Sequence, residues 1–110
     1  MTERIRLVQN DSRPAIVVNI MDGSTGNTPL NLTGATVRLK VRRLDELTVI
    51  SVLVASIVNG ANGQCVFFPA LAPEMMQDFG NFKGEVEITF EDGQVQTVYD
   101  LISFTVREEF

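Results

Sequence analysis

Apolar and polar residues alternate strictly along the segment Thr36–Arg42. Val37, Leu39 and Val41 occupy the odd positions, and the even positions between and after them are basic. Successive side chains of a β-strand point to opposite faces, so this pattern predicts a strand with one buried aliphatic face and one exposed basic face. The segment contains no reactive group, and it is therefore informative about architecture rather than about catalysis.

Further strand-like runs are separated by clusters of turn-forming residues. Together with the strand at 35–43, they cover residues 5–8, 15–21, 49–58, 64–68, 82–90 and 95–106. The Asn-Gly pairs within 59–63 and the Asp-Gly pair at 92–93 are typical of tight hairpin turns, because these residues accept positive φ. Seven short strands at such spacing predict an all-β domain, either a β-sandwich or a small barrel. Residues 73–79 predict a single short helix that begins near Pro73.

Length and charge narrow the possible classes of protein. One hundred and ten residues predict one domain, 1–110, and the formal net charge of −5 disfavours binding to nucleic acid. Neither an apolar run long enough to cross a membrane nor a cleavable signal pattern is present in the sequence, so we expect no membrane partner and no export.

The residues that could take part in catalysis do not indicate an enzyme. The chain has no histidine, which removes the commonest general base and the commonest transition-metal ligand. The single cysteine, Cys65, lies in a strand-like run and is expected to be an inert core thiol. Residues 22–27 resemble a calcium loop but contain one carboxylate, which is too few. We therefore expect no catalytic residue, no cofactor site and no metal site.

Three residues are candidates for contact with a partner protein. Met75 and Met76 lie beside phenylalanines, and Met-rich aromatic surfaces adapt well to partners. The favoured alternative is that Leu71, Met75 and Phe79 pack inward, so that the short helix covers one end of the sandwich. Phe110, at the end of the chain, is the third candidate.

The order of several motifs resembles a known family. The matching segments are residues 15–23, the run Pro-Leu-Asn-Leu-Thr-Gly-Ala at 29–35 with the strand that follows, 63–67, 80–88 and 100–106. In this order and spacing they are similar to the N-terminal immunoglobulin-like domain of phage baseplate upper proteins and to related small phage tail proteins. The resemblance implies an immunoglobulin-like antiparallel β-sandwich. Full-length members of that family continue beyond this domain, whereas this chain ends at Phe110.

A second motif points to the same fold. Residues 78–84 resemble the Asp-x-Gly-x-Tyr-x-Cys corner of immunoglobulin domains. Phe82 stands at the tyrosine position and Gly84 at the cysteine position, so the core is expected to close by apolar packing alone.

The resemblance also implies a role and a set of partners. We expect a non-enzymatic structural protein of the virion, assembled in the host cytoplasm, in the tail, the baseplate or the capsid surface. Its partners would be other phage structural proteins and further copies of itself in a symmetric particle. The alternative is a carbohydrate-binding module for host-surface glycans.

An immunoglobulin-like strand order makes a specific prediction for the basic face. In that order the third strand lies beside the sixth, which carries Glu85, Glu87 and, at its end, Glu91 on its polar side. Cross-strand pairs between these acids and the basic residues 38, 40 and 42 would neutralise the basic face. A solvated face and a ligand-binding patch are the two alternatives.

Overall fold

The chain forms β-strands joined by short turns. The computed structural model describes residues 4–11, 13–21, 28–69, 79–98 and 101–109, and within them it contains nine strands and one 3₁₀ turn, Gly60–Asn62. The strands are β1 (Arg4–Val8), β2 (Ile16–Asn19), β3 (Thr36–Arg43), β4 (Val49–Val54), β5 (Ser56–Asn59), β6 (Gln64–Phe67), β7 (Gly80–Thr89), β8 (Val95–Thr97) and β9 (Ile102–Arg107).

These strands are arranged in two sheets. The larger sheet has the order β1-β9-β7-β3-β4, with β8 paired to the end of β7, and the smaller sheet has the order β2-β6-β5. An immunoglobulin domain places strands G, F and C beside one another, with strand C′ next to C in the variable type, and strands B, E and D in the second sheet. Strands β9, β7, β3 and β4 match the first set, and β2, β6 and β5 match the second. The fold is an all-β immunoglobulin-like sandwich, as predicted.

Two of the seven predicted strands are each divided in two. The run at 49–58 is interrupted at Ala55, where the chain leaves the larger sheet and enters the smaller one. The run at 95–106 becomes β8 and β9, which pair with opposite halves of β7. Both errors have one cause: a run of strand-forming residues does not show where the chain passes from one partner strand to another.

The sandwich is not wholly antiparallel. Strand β1 pairs with β9 in the parallel direction, from Arg4↔Ser103 to Val8↔Arg107. The prediction of an antiparallel sandwich is wrong for this pair, because a period of two positions carries no information on strand direction. The predicted helix at 73–79 falls almost entirely outside the described residues.

The core lies between the two sheets and is aliphatic and aromatic. Alternate residues of β3, β7 and β9 point into it, as predicted, and the loop residue Leu32 joins them. The predicted turns at 59–63 and 92–93 are confirmed, with positive φ at Gly63 and Gly93. The largest side chains with almost no exposure are Phe67, Phe82, Phe104, Leu32, Leu39 and Ile88.

Gly84 marks the point of closest packing in this core. A Cβ atom at this position would lie 2.6 Å from Leu39 Cδ1 and 2.9 Å from Phe104 Cε2. Residue 84 therefore has to be small, since its two neighbours occupy the volume that a side chain would need. Phe82, two residues earlier, is buried, and the Arg43 guanidinium lies 5.2 Å from the centre of its ring. The core is thus closed at this corner by packing.

We predict that Gly84→Ala lowers the free energy of unfolding by about 1–3 kcal/mol, because the added methyl group overpacks the core. Chemical denaturation of the variant and the wild type measures the difference. Leu39→Val removes one of the two crowding groups, so the double variant should lose less stability than the sum of the two single variants. Full additivity would show that residue 84 is not crowded by Leu39.

Candidate interaction surface

Charged side chains cover the outer face of the larger sheet where β3 lies beside β7. In the register of this pair, Arg38 is opposite Glu87 and Lys40 is opposite Glu85. The Lys40 Nζ donates a hydrogen bond of 2.9 Å to Glu87 Oε2, which is the diagonal neighbour. The predicted adjacency of the basic and acidic strands is confirmed, and so is one ion pair across it.

The acidic residues do not neutralise this face completely. Arg42 is opposite Lys83 rather than an acid, and its Nη1 donates to the backbone oxygen of Glu46 at 2.6 Å. Basic residues at outward strand positions outnumber the two acids of the face; they are Arg6, Arg38, Lys40, Arg42, Lys83 and Arg107. Among the described residues the outer face therefore carries an excess of positive charge, whereas the whole chain carries −5.

Strand β4 forms one lateral edge of the larger sheet and carries no charge. Its sequence is Val-Ile-Ser-Val-Leu-Val, and Leu53 points into the core. Val52 and Val54 lie on the outer face and are 51% and 57% exposed. Within the described part of the chain, no strand pairs with the open side of β4. Exposed β-branched residues on an open edge are typical of a surface that binds another strand.

The same chain segment also forms an edge of the smaller sheet. After Ala55 the chain enters β5, which pairs only with β6 among the described strands. Residues 49–58, called the uncharged flank below, thus supply adjacent edges of both sheets and contain no charged residue, no proline and no glycine. Sequence analysis interpreted this run as one ordinary strand. A continuous aliphatic run is typical of a strand that is buried on both faces, so the sequence contains no signal for the exposure of this segment.

The predicted contact residues Met75, Met76 and Phe110 lie outside the described residues, as does the loop at 22–27. Phe79, which the alternative placed inside the sandwich, directly precedes β7 and is 52% exposed. Its inward packing is therefore not seen.

Cys65 is buried in β6, and burial raises the pKa of its thiol to about 11. The predicted core position of Cys65 is confirmed, and because the thiolate is the reactive form, a raised pKa disfavours reaction at this thiol. In the described ranges, no group of three or more potential metal ligands comes together. Nor does that part of the chain contain a helix of sufficient length and apolarity to cross a membrane.

We predict a coupling free energy of about 0.2–1 kcal/mol between Lys40 and Glu87, the range of partly exposed ion pairs. A double-mutant cycle with Lys40→Met and Glu87→Gln, followed by chemical denaturation, measures it. The coupling should fall as salt is added, because the pair is accessible to screening ions. A cycle on Arg42 and Glu87, which are not neighbours in the register, is the matched control and should show no coupling.

We predict that stability decreases at alkaline pH in part because of Cys65. Its pKa of about 11 in the folded protein exceeds the value of about 8.5 for an unfolded cysteine. The unfolded state therefore loses its proton first, and the contribution to stability disappears as pH rises through this interval. Denaturation curves from pH 8 upwards should show a shallower decline for Cys65→Ala. Equal declines for the two proteins would contradict a raised pKa.

Comparisons with known proteins add little to this geometry. No protein-family profile matches the sequence, and no curated protein sequence matches it either. A solved structure of murine CRIg is similar to the chain, with a TM-score of 0.44 and 14% sequence identity over 96% of this chain and 92% of that one. A TM-score below 0.5 supports no further argument, so the immunoglobulin-like assignment depends on the strand order and register described above.

Proposed function

We propose that this chain is a non-enzymatic structural protein of a phage virion, which acts by binding neighbouring protein subunits. The observation that carries the proposal is the uncharged flank, residues 49–58, which exposes adjacent edges of two sheets. Edge strands carry backbone N–H and C=O groups that a further strand can bind. A protein that remained alone in solution would be expected to protect such an edge with lysine, proline or a covering segment.

The charge distribution supports a role in oriented assembly. The outer face of the larger sheet carries an excess of positive charge, and the remainder of the chain is negative. Complementary charge between subunits favours one relative orientation and raises the rate of association. Further copies of this chain and other structural proteins of the particle are the partners that we propose. The family resemblance of the sequence supports the tail or baseplate as the location.

A carbohydrate-binding module is the second candidate that the sequence raised. Such sites usually present exposed aromatic side chains on a common platform. The exposed phenylalanines of the described residues are Phe68, after β6 in the smaller sheet, and Phe79, before β7 in the larger sheet. No platform that joins them is present in the described geometry, and this candidate has no observation of its own.

We predict that the chain is a component of purified particles of the phage that encodes it. Mass spectrometry of those particles should detect it in a fixed ratio to the other structural proteins. An antibody against the chain should label the particle at a constant position in electron micrographs. A chain that is expressed during infection and absent from the particles would contradict the proposal, and saturable binding on a glycan array would favour the second candidate.

A further inference from the structure

We propose that β4 binds β4 of a second copy of this chain, antiparallel and about a two-fold axis at Leu53. The two six-stranded sheets would then form one continuous sheet. This inference names one partner of the uncharged flank and so makes the proposed function more specific. It rests on the proposed function in one respect: both treat the flank as an assembly surface.

The backbone hydrogen bonds of β4 show which residues are available at its open side. The N–H of Ala55 donates to the carbonyl oxygen of Val37 on β3 at 2.9 Å. Backbone groups of successive residues in a strand point to opposite sides, so Leu53, two residues before Ala55, also faces β3. Val52 and Val54 consequently direct their N–H and C=O groups away from β3. Together these two residues offer two donors and two acceptors to a further strand.

This arrangement allows self-pairing with a two-fold axis at Leu53. With the axis at Leu53, Val52 of one copy lies opposite Val54 of the second copy, and the reverse pair follows by symmetry. Both are hydrogen-bonded pairs of an antiparallel ladder, so four backbone hydrogen bonds form. In this register the outer faces of the two sheets also lie on the same side. Val52 and Val54 of both copies remain on the outer face, and Leu53 remains on the inner face. The exposed valines would then cover one another.

The charges beside β4 are compatible with this contact. The nearest charged row is on β3, where Lys40 is opposite Val52 and Arg38 is opposite Val54. Across the proposed interface the two β3 rows are three strand spacings apart, roughly 14 Å. The Debye length at physiological ionic strength is about 8 Å, so repulsion between the rows is largely screened there. The uncharged strand thus acts as a spacer between two basic rows.

The other edges are less suited to the same contact. The sequence of β1 contains arginines at 4 and 6, and charged residues on an edge discourage pairing. Pro14 precedes β2, and the pairing of β5 with β6 shifts register inside that four-residue strand, between Ile57 and Asn59. The shift in the pairing of β4 with β3 lies at the start of β4, before Ser51, and leaves Ser51–Val54 regular. A contact between β4 of one copy and a different edge of the next copy would be head-to-tail. Each added copy would then leave a free edge for another copy, and a filament could form. Self-pairing of β4 closes after two copies.

The first experiment measures self-association of the full chain by analytical ultracentrifugation from micromolar to millimolar concentration. We expect a monomer–dimer equilibrium. Val54→Lys should raise the dissociation constant at least about tenfold, because two like charges flank the axis and the edge becomes polar. Val17→Lys is the matched control: Val17 is also 57% exposed and lies on β2, and this variant should associate as the wild type does.

A second variant tests the register. In Val52→Lys/Val54→Glu, each lysine lies opposite a glutamate of the second copy if the axis is at Leu53, so association should be restored relative to Val54→Lys. An axis one residue away, at Val52, would place the two lysines opposite each other and leave the protein monomeric. Wild-type association should also strengthen as ionic strength rises from about 0.01 M to about 0.15 M, since the Debye length falls from about 30 Å to about 8 Å.

Hydrogen exchange provides a test that needs no variant. The amides of Val52 and Val54 should exchange more slowly at high protein concentration than at low concentration. Equal exchange rates, a strict monomer up to millimolar concentration, or a dimer weakened by Val17→Lys and not by Val54→Lys would each overturn the inference. A monomer that is nevertheless found in phage particles would overturn this inference alone, whereas a β4 dimer absent from particles would overturn only the proposed function.

Discussion

The antiparallel pairing of β3 with β7 is the constraint on which the other features of this molecule depend. Eight residue pairs, from Thr36↔Thr89 to Arg43↔Phe82, fix the two strands at the centre of the larger sheet. A shift of one residue would exchange the faces of a strand and bring Arg38 and Lys40 into the core. Burying unpaired charges costs several kcal/mol each, so the alternation of both strands excludes every register that is shifted by an odd number of residues.

This register determines both faces of the sheet. On the inner side it places Gly84 against Leu39, where only a residue without a side chain fits. On the outer side it brings Lys40 within hydrogen-bonding distance of Glu87 and leaves Arg42 opposite Lys83. The same pairing that builds the core therefore produces a face with one ion pair and an excess of positive charge. Packing energy decides the register, and the charge pattern is its consequence, because a partly exposed ion pair contributes little.

The uncharged flank arises from the way in which the chain passes between the sheets. Strand β4 completes the larger sheet beside β3, and one residue later β5 pairs with β6 in the smaller sheet. A crossing this short keeps both strands on the same side of the sandwich, so both become edges there. The aliphatic residues of β4 thus serve two purposes. Those that point inward, such as Leu53, fill the core, and those that point outward, such as Val52, remain at the surface.

Local pattern was sufficient for the elements that lie within one sheet. The strand at 36–43, its buried valines and leucine, the turns at 59–63 and 92–93, and the position of Gly84 in an immunoglobulin-like corner were all predictable from the sequence. Their physical basis is short-range: side chains alternate along a strand, and tight turns need residues that accept positive φ. The adjacency of β3 and β7 was predicted only because the motifs of the sequence resemble those of immunoglobulin-like domains, whose strand order is known.

The candidate interaction surface could not be predicted from the sequence, because it is formed by pairing between strands that are distant along the chain. The amino-acid composition of the run at 49–58 does not show whether the run lies in the middle of a sheet or at an edge. The pairing of β4 with β3 and of β5 with β6 shows that it forms an edge of each sheet. The parallel direction of β1 beside β9 is likewise invisible in a period of two positions. The sequence therefore determined which residues are buried along each strand. The tertiary structure decided which strands meet and which edges remain open, because pairing between distant strands is set by the packing of the whole sandwich.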